Sequence, residues 1–306
     1  MTLPSVAVVV VHWNRWPETR NCLRSLARLT YPNREVVVVD NGSRTPIEKE
    51  LAREFPWATR LRLERNTGYT GGNNAALRYA LGRGHEYFFL LNNDAVVAPD
   101  CVEKALEVAE SDERIGVLGM KVLSLEDPSR IWVAYGQVTY RQGLVRLVGY
   151  LERDRGQYEE VRDVEWVPGT ALFFRRRALE TVGLLDDRFF AYHEDVDWCT
   201  SARALGFRVV YAPGPVVFHK GHGSSGGRGY LTPRQYLAGR SMVLFVRKHA
   251  SPAQKAKFTL FTLGTLPLQY VRRLLRNEQG GVVLKARGLY DGWKGKDVPV
   301  AELGLV

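Results

Sequence analysis

The chain has 306 residues, 45% apolar and 25% charged, an ordinary globular composition long enough to bury a core without staples. Its three cysteines, Cys22, Cys101 and Cys199, are far apart and form no CxxC pair. They argue against a disulfide framework or a zinc cluster and fit a reducing cytosol. The net charge of +10 is concentrated at one end: Leu231 to Val306 holds 13 Lys and Arg against 4 Asp and Glu, a net of +9. A near-neutral body with a basic tail points to an anionic surface, either a phospholipid headgroup layer or nucleic acid. The start, Met1-Thr2-Leu3-Pro4-Ser5, lacks the basic opening and cleavage site of a signal peptide.

In chain order, Val6 to Val11 is a continuous valine-rich run, which predicts a strand buried on both faces. Pro17 and Glu18 then open a helix whose apolar stripe is Cys22, Leu23, Leu26 and Leu29. Glu35 to Val39 is a second buried strand, Leu61 to Leu63 a short one, Asn73 to Leu81 a helix and Tyr87 to Leu91 another strand. A helix over Pro99 to Glu110 and a strand over Ile115 to Val122 complete an alternation that predicts a parallel sheet flanked by helices. Ligands of such sheets bind beyond the carboxyl ends of the strands, where Asn14, Asp40 and Asp94 fall. From Ile131 to Glu165 the pattern changes to antiparallel hairpins. A strand over Val167 to Phe174, a helix over Asp195 to Leu205 and two short strands, Val209 to Tyr211 and Val216 to Phe218, follow. The expected organisation is one catalytic domain over residues 1–230, with a donor half to about 122 and an acceptor half after it, and a basic helical tail over 231–306.

Several segments carry residue types suited to chemistry. The first strand-to-helix turn, His12-Trp13-Asn14-Arg15-Trp16-Pro17, has none of the glycines of a dinucleotide-binding turn, and no Walker A lysine is present. Asp40, at a strand end, either accepts hydrogen bonds from a ribose or base or simply forms a turn before Asn41-Gly42. Asn66 to Asn74 is a glycine-rich stretch opening a helix, suited to close approach of a phosphate or to a flexible turn. Asp94 closes the run Asn92-Asn93-Asp94 at a buried strand end and suits Mg²⁺ or Mn²⁺ on a diphosphate. Glu194, Asp195 and Asp197 form an acidic cluster at a helix start, which reads either as a poised base or as carboxylates complementing the helix dipole. His219 follows a strand and precedes the glycine-rich run Gly221 to Gly227, as a metal ligand or as a structural histidine.

Taken as an ordered set, these segments resemble glycosyltransferase family 2, with its GT-A fold, over about Val6 to His222. Phe189-Phe190 ahead of the Glu194-Asp195 pair looks most like the rhamnosyltransferase-like branch. The resemblance implies a Rossmann-like α/β sheet and an inverting transfer of a sugar from a nucleoside diphosphate, UDP or dTDP rather than GDP. The acceptor it implies is a hydroxyl of a glycan or lipid-linked compound. It assigns Asp195, with Glu194, to catalysis as the general base. It places His12, Asn14, Asp40, Asn66, Gly68, Gly72, Asn73, Asn93 and Asp94 at the donor. Trp166, Gly169 and Thr170 go to the acceptor, and Asp94 with His219 to a divalent metal. The family's D-x-D motif is Asn92-Asn93-Asp94 here, one acid short, which leaves less negative charge around a metal. The alternative is a nucleotidyltransferase that makes sugar nucleotides, although its basic glycine-rich loop after the first strand is missing. No nucleic-acid-binding motif is evident, and a near-neutral body offers no basic groove.

In the tail, Phe258 to Val271 is uncharged and mostly apolar, flanked by Lys255, Lys257, Arg272, Arg273 and Arg276. Its 14 residues fall short of the ~20 that span a bilayer. Pro267 is expected to kink a helix there. The segment reads as an interfacial element on the cytoplasmic face of a membrane or as helices packed on the catalytic domain.

Overall fold

The computed structural model describes residues 3–141, 143–221 and 230–306. The first half holds strands β1 (Val6–His12), β2 (Arg34–Asn41), β3 (Thr59–Leu63), β4 (Tyr87–Asn92), β5 (Ala95–Val97) and β6 (Ile115–Ser124). Its helices are α1 (Trp16–Leu26), α2 (Glu48–Glu54), α3 (Gly68–Gly82) and α4 (Cys101–Glu110). The second half adds β7 (Ile131–Val133), β8 (Tyr135–Val138), β9 (Val145–Val148), β10 (Arg162–Asp163), β11 (Ala171–Arg175) and β12 (Arg208–His219). With them come α5 (Arg176–Val182), α6 (Glu194–Ala204), α7 (Pro233–His249), α8 (Pro252–Leu274) and α9 (Gln279–Lys294).

The central sheet runs β10-β12-β6-β11-β4-β1-β2-β3, and β8 pairs with β9 in a separate hairpin. β1, β2, β3 and β4 are mutually parallel, while β11 lies antiparallel between β4 and β6. The valine run of β1 explains its own burial. Val6, Val8 and Val10 pack with Cys22, Leu23 and Leu26 of α1 on one face, and Ala7 and Val9 pack with Ala76, Leu77 and Ala80 of α3 on the other. Each face is covered, so the polar alternation of a half-exposed strand is absent. In register, His12 lies beside Asp40 and Val11 beside Asn92. The carboxyl ends of β1, β2 and β4 therefore open side by side.

Several elements differ from the sequence reading. α3 begins at Gly68 rather than Asn73, so the glycine-rich stretch is itself helical. β11 begins at Ala171 rather than Val167. The two short strands expected around 209–218 are one strand, β12, broken by a register shift between Ala212 and Val216 that surrounds Pro213 and Pro215. Helix α8 runs through Pro267 without ending. Only Phe258 and Thr262 of α8 are buried, so water can serve the carbonyl that Pro267 leaves without a donor. α9 packs tightly on α7: a Cβ on Gly288 would lie 2.1 Å from the carbonyl oxygen of Tyr236.

Candidate active site

Two clusters meet where the parallel strands end. The first surrounds Asp94, just past β4. Its carboxylate Oδ1 is 3.0 Å from Nε2 of His219, the last residue of β12, and both side chains are buried. The backbone N–H of Lys220 donates to the Asp94 carbonyl at 3.1 Å, fixing the β4 and β12 ends together. Burial opposes ionisation of Asp94, but hydrogen bonding to His219 and its charge outweigh it and hold the carboxyl below its ordinary range. Nδ1 of His219 is buried without a hydrogen-bond partner among the described residues. The glycine-rich run after it lies outside the described residues from His222 to Gly229.

The other residues assigned to the donor form the framework around this pair. His12 is buried, its Nδ1 2.7 Å from the Thr19 hydroxyl, which also accepts from the Asn93 amide at 2.9 Å. Burial lowers the His12 pKa to about 4, so the ring is neutral near pH 7. Asn14 is exposed with φ of 56°. Its backbone N–H donates to the Ser43 hydroxyl at 3.0 Å, and its side-chain Oδ1 accepts from Arg44 N–H at 2.8 Å. Asp40 is buried, accepts from Ser43 N–H at 3.0 Å and pairs with Arg62. Both its oxygens thus have internal partners, the turn role among the two read from sequence, while each keeps a second lone pair.

Asn66 accepts from Gly68 N–H at 2.9 Å and donates to the Leu305 carbonyl at 2.8 Å. Gly68 has φ of +77°, and a Cβ there would lie 2.3 Å from the Phe190 carbonyl oxygen. Only glycine fits that approach. Gly72 and Asn73 are buried on α3, with Asn73 donating to the Tyr69 carbonyl at 2.8 Å. Asn41, which was not singled out from the sequence, is the hub of this loop. It accepts from Thr67 N–H at 3.0 Å and donates to the Gly68 carbonyl at 2.9 Å.

The second cluster is built on the start of α6. Asp195 Oδ2 accepts from Gly169 N–H at 2.7 Å, and Oδ1 accepts from Val196 N–H at 2.8 Å. Burial raises its pKa to about 6 against the effect of those hydrogen bonds. Glu194 is buried, and its Oε2 has no hydrogen-bond partner among the described residues. Burial, then the charge of Asp195, push its carboxyl well above the ordinary range. The two carboxyls are thus neighbours whose burial and mutual repulsion both oppose ionisation. Asp197, the third acid of the motif, is engaged elsewhere: it takes Lys248 at 2.8 Å and His249 at 2.7 Å, joining α6 to α7.

The clusters are joined by a short polar path. Asn92 N–H donates to the Thr170 carbonyl at 3.0 Å, and Gly169 follows on to Asp195. The Tyr69 hydroxyl, missed in the sequence reading, donates to the Gly169 carbonyl at 2.6 Å and so ties α3 to the acidic pair. Trp166 is buried, and its ring lies against Gly136, where a Cβ would fall 1.9 Å from the indole.

The loop leading into α6 is strained. Phe190, Tyr192 and His193 all have positive φ, at 62°, 69° and 66°. Such conformations cost roughly 1–3 kcal/mol each and persist where surrounding structure holds them. Here Thr70 N–H donates to the Phe190 carbonyl at 3.1 Å, and the Ser241 hydroxyl of α7 bridges the carbonyls of Phe189 and Ala191 at 3.2 and 3.1 Å. No local sequence pattern marks this clamp.

Known proteins share the sequence pattern and the fold. The family model described as glycosyl transferase family 2 matches residues 7–183. The chain is 28% identical over 299 residues to the N-acetylglucosaminyl-diphospho-decaprenol L-rhamnosyltransferase of Mycobacterium tuberculosis, covering 89% of this chain and 94% of that protein. It is 25% identical over 254 residues to the dTDP-rhamnosyl transferase RfbF of Shigella flexneri, covering 81% and 82%. The crystal structure of GalNAc-T7 with UDP, GalNAc and Mn²⁺ shares the fold, with a TM-score of 0.65 at 17% identity, covering 84% of this chain and 50% of that one.

Proposed function

Because the chain belongs to glycosyl transferase family 2, we propose that it transfers a sugar, rhamnose by the names of its relatives, from dTDP or UDP to a hydroxyl of a lipid-linked or glycan acceptor, with inversion. The nucleotidyltransferase alternative is not favoured, since the family and both relatives transfer sugars. The observation that carries the reading is the acidic pair: a half-buried Asp195 held by the Gly169 and Val196 N–H groups, with its pKa lifted to about 6, next to a buried Glu194 whose carboxyl is pushed up by burial and by Asp195.

An acceptor hydroxyl attacks only as its proton leaves. Asp195 is ionised near pH 7 and basic enough to take that proton, as a general base should be. The Gly169 N–H orients one of its oxygens. A base acting on the acceptor while the diphosphate departs from the opposite face gives a single displacement, hence inversion.

Asp94 and His219 fit a divalent cation. An ionised carboxylate and an imidazole suit Mg²⁺ or Mn²⁺, and the described residues hold no group of three or more protein ligands. Diphosphate oxygens and water would fill the remaining positions. A bound divalent cation supplies positive charge against the leaving diphosphate.

The test is thermal unfolding with UDP, dTDP and GDP, each with and without Mn²⁺, followed by the anomeric configuration of the product. Near 100 times its dissociation constant, a donor nucleotide should add about 2.7 kcal/mol. Metal-dependent stabilisation by UDP or dTDP, and an inverted product, are expected. Stabilisation by none of the three, or a retained product, overturns the reading.

The tail supports a cytoplasmic membrane face as the place of action. No helix among the described residues is long and apolar enough to cross a membrane. On α8, however, Leu260, Leu263, Leu268 and Val271 are 72%, 61%, 70% and 62% exposed and recur at helical spacing. Exposed Lys255, Lys257, Arg272 and Arg276 flank them. An apolar stripe between cations matches an anionic leaflet. Pelleting with anionic but not neutral vesicles is the expected result, and pelleting with neither rejects it.

A further inference from the structure

The last segment of the chain does not trail away from the catalytic body. After α9 it folds back, and residues 298–305 close a compact turn in which Leu305 N–H donates to the Val300 carbonyl at 2.9 Å. Leu305 is only 6% exposed and belongs with Tyr236 and Leu237 to a small buried cluster. Two polar contacts pin this strap to the donor loops: Asn66 donates to the Leu305 carbonyl at 2.8 Å, and Arg44 Nε donates to the Val306 carbonyl at 3.1 Å. Glu302 pairs with Arg287 of α9 at 2.7 Å, anchoring the strap from behind.

Between the strap and the β1–α1 turn lies a cavity of about 470 Å³, within the size range of small-ligand sites. Trp13, Asn14, Arg15 and Arg44 line it together with Gly304 and Leu305 of the strap. An indole, two guanidiniums and a polar loop suit a nucleoside diphosphate: a flat face for a base and cations for phosphate. The cavity adjoins the Asp94 cluster. Glu18, on its wall, pairs at 3.2 Å with Lys220, the neighbour of His219.

We propose that the strap is part of the donor site: Leu305 and its neighbours form the wall facing Trp13 and decide which nucleoside base the pocket accepts. The inference rests on the donor reading above. It gives Asn66 a second task, since its amide holds the wall rather than the ligand. A base that fits between Trp13 and Leu305 would be ordered on both sides, and a larger base would have to displace the strap.

Isothermal titration of the full chain and of Leu305→Ala with UDP, dTDP, GDP and inorganic pyrophosphate, all with Mg²⁺, tests this. Hydrogen exchange of the unaltered protein with and without the tightest nucleotide adds a readout that needs no variant. The expected results are a loss of about tenfold in affinity for the preferred nucleoside diphosphate, a smaller gap between pyrimidine and guanine nucleotides, unchanged pyrophosphate binding and slowed exchange of amides 303–306. Nucleotide affinities equal to or above those of the unaltered chain, or strap amides indifferent to nucleotide, overturn the proposal. If the unaltered protein binds none of the three nucleotides, the donor reading fails and the strap proposal with it. Should Leu305→Ala unfold, the exchange result alone decides.

Discussion

Asp94 and Asp195 are both withdrawn from solvent at the ends of regular elements, yet their surroundings move them in opposite directions. Asp94 faces the His219 imidazole and is held ionised, whereas Asp195 meets only backbone N–H donors and a second carboxyl, and its pKa rises to about 6. Burial acts on both. What differs is the partner: a cationic or donor ring compensates for lost water, and a neighbouring acid adds to the loss. Two identical side chains are thereby set apart in acidity, as the proposed metal and base roles require.

The contrast breaks most readily at Asp195. Asp195→Asn should lower kcat by about 10²–10⁴ while leaving nucleotide affinity nearly unchanged, measured by titration and single-turnover assays. Equal loss of both would place Asp195 at the donor instead. Asp94→Asn should do the converse, with metal-dependent nucleotide affinity falling further than the roughly 10- to 100-fold expected for His219→Gln. If either variant bound nucleotide and metal normally, the Asp94–His219 pair would be only structural.

The pH profile sharpens the same contrast. Below about pH 6 Asp195 is protonated and cannot accept the acceptor's proton, so kcat/KM should fall as pH drops through about 6. An acidic limb near 4 would mean an ordinary carboxylate. The smallest effect is expected at Gly68, which touches both regions. Gly68→Ala would drive a Cβ into the Phe190 carbonyl and should cost about 1–3 kcal/mol in urea unfolding, with some loss of turnover.

Much of the donor side is legible in the sequence, because it depends on local rules. Continuous apolar runs give β1, β2 and β4, and the polar residue after each run marks the strand end where ligands gather. The acidic motif is legible only in part. Glu194, Asp195 and Asp197 look alike in the sequence, but only the fold shows Asp197 turned to Lys248 and His249. The helical glycines of α3 were misread because glycine's low helix propensity is overridden by packing against β1 and the Phe190 loop. Short elements such as α2, β5 and α5 are too brief to carry a period. The hub Asn41, the Tyr69 hydroxyl, the positive-φ loop and the strap depend on partners up to 262 positions away, as in the Arg44–Val306 contact, and leave no local trace.

The Ser241, Lys248 and His249 clamp has a consequence for how such proteins can be recombined. The family model's match ends at residue 183, but the helix bearing the acidic pair comes after it and is gripped by α7. A chimera spliced at that boundary would inherit a donor half from one parent, and from the other an acidic pair together with the helix that restrains it. Cutting between α6 and α7 would instead separate a strained loop from its restraint. The workable unit of exchange runs from the Phe190 loop through α7, so the acidic pair would travel with the helix that restrains it.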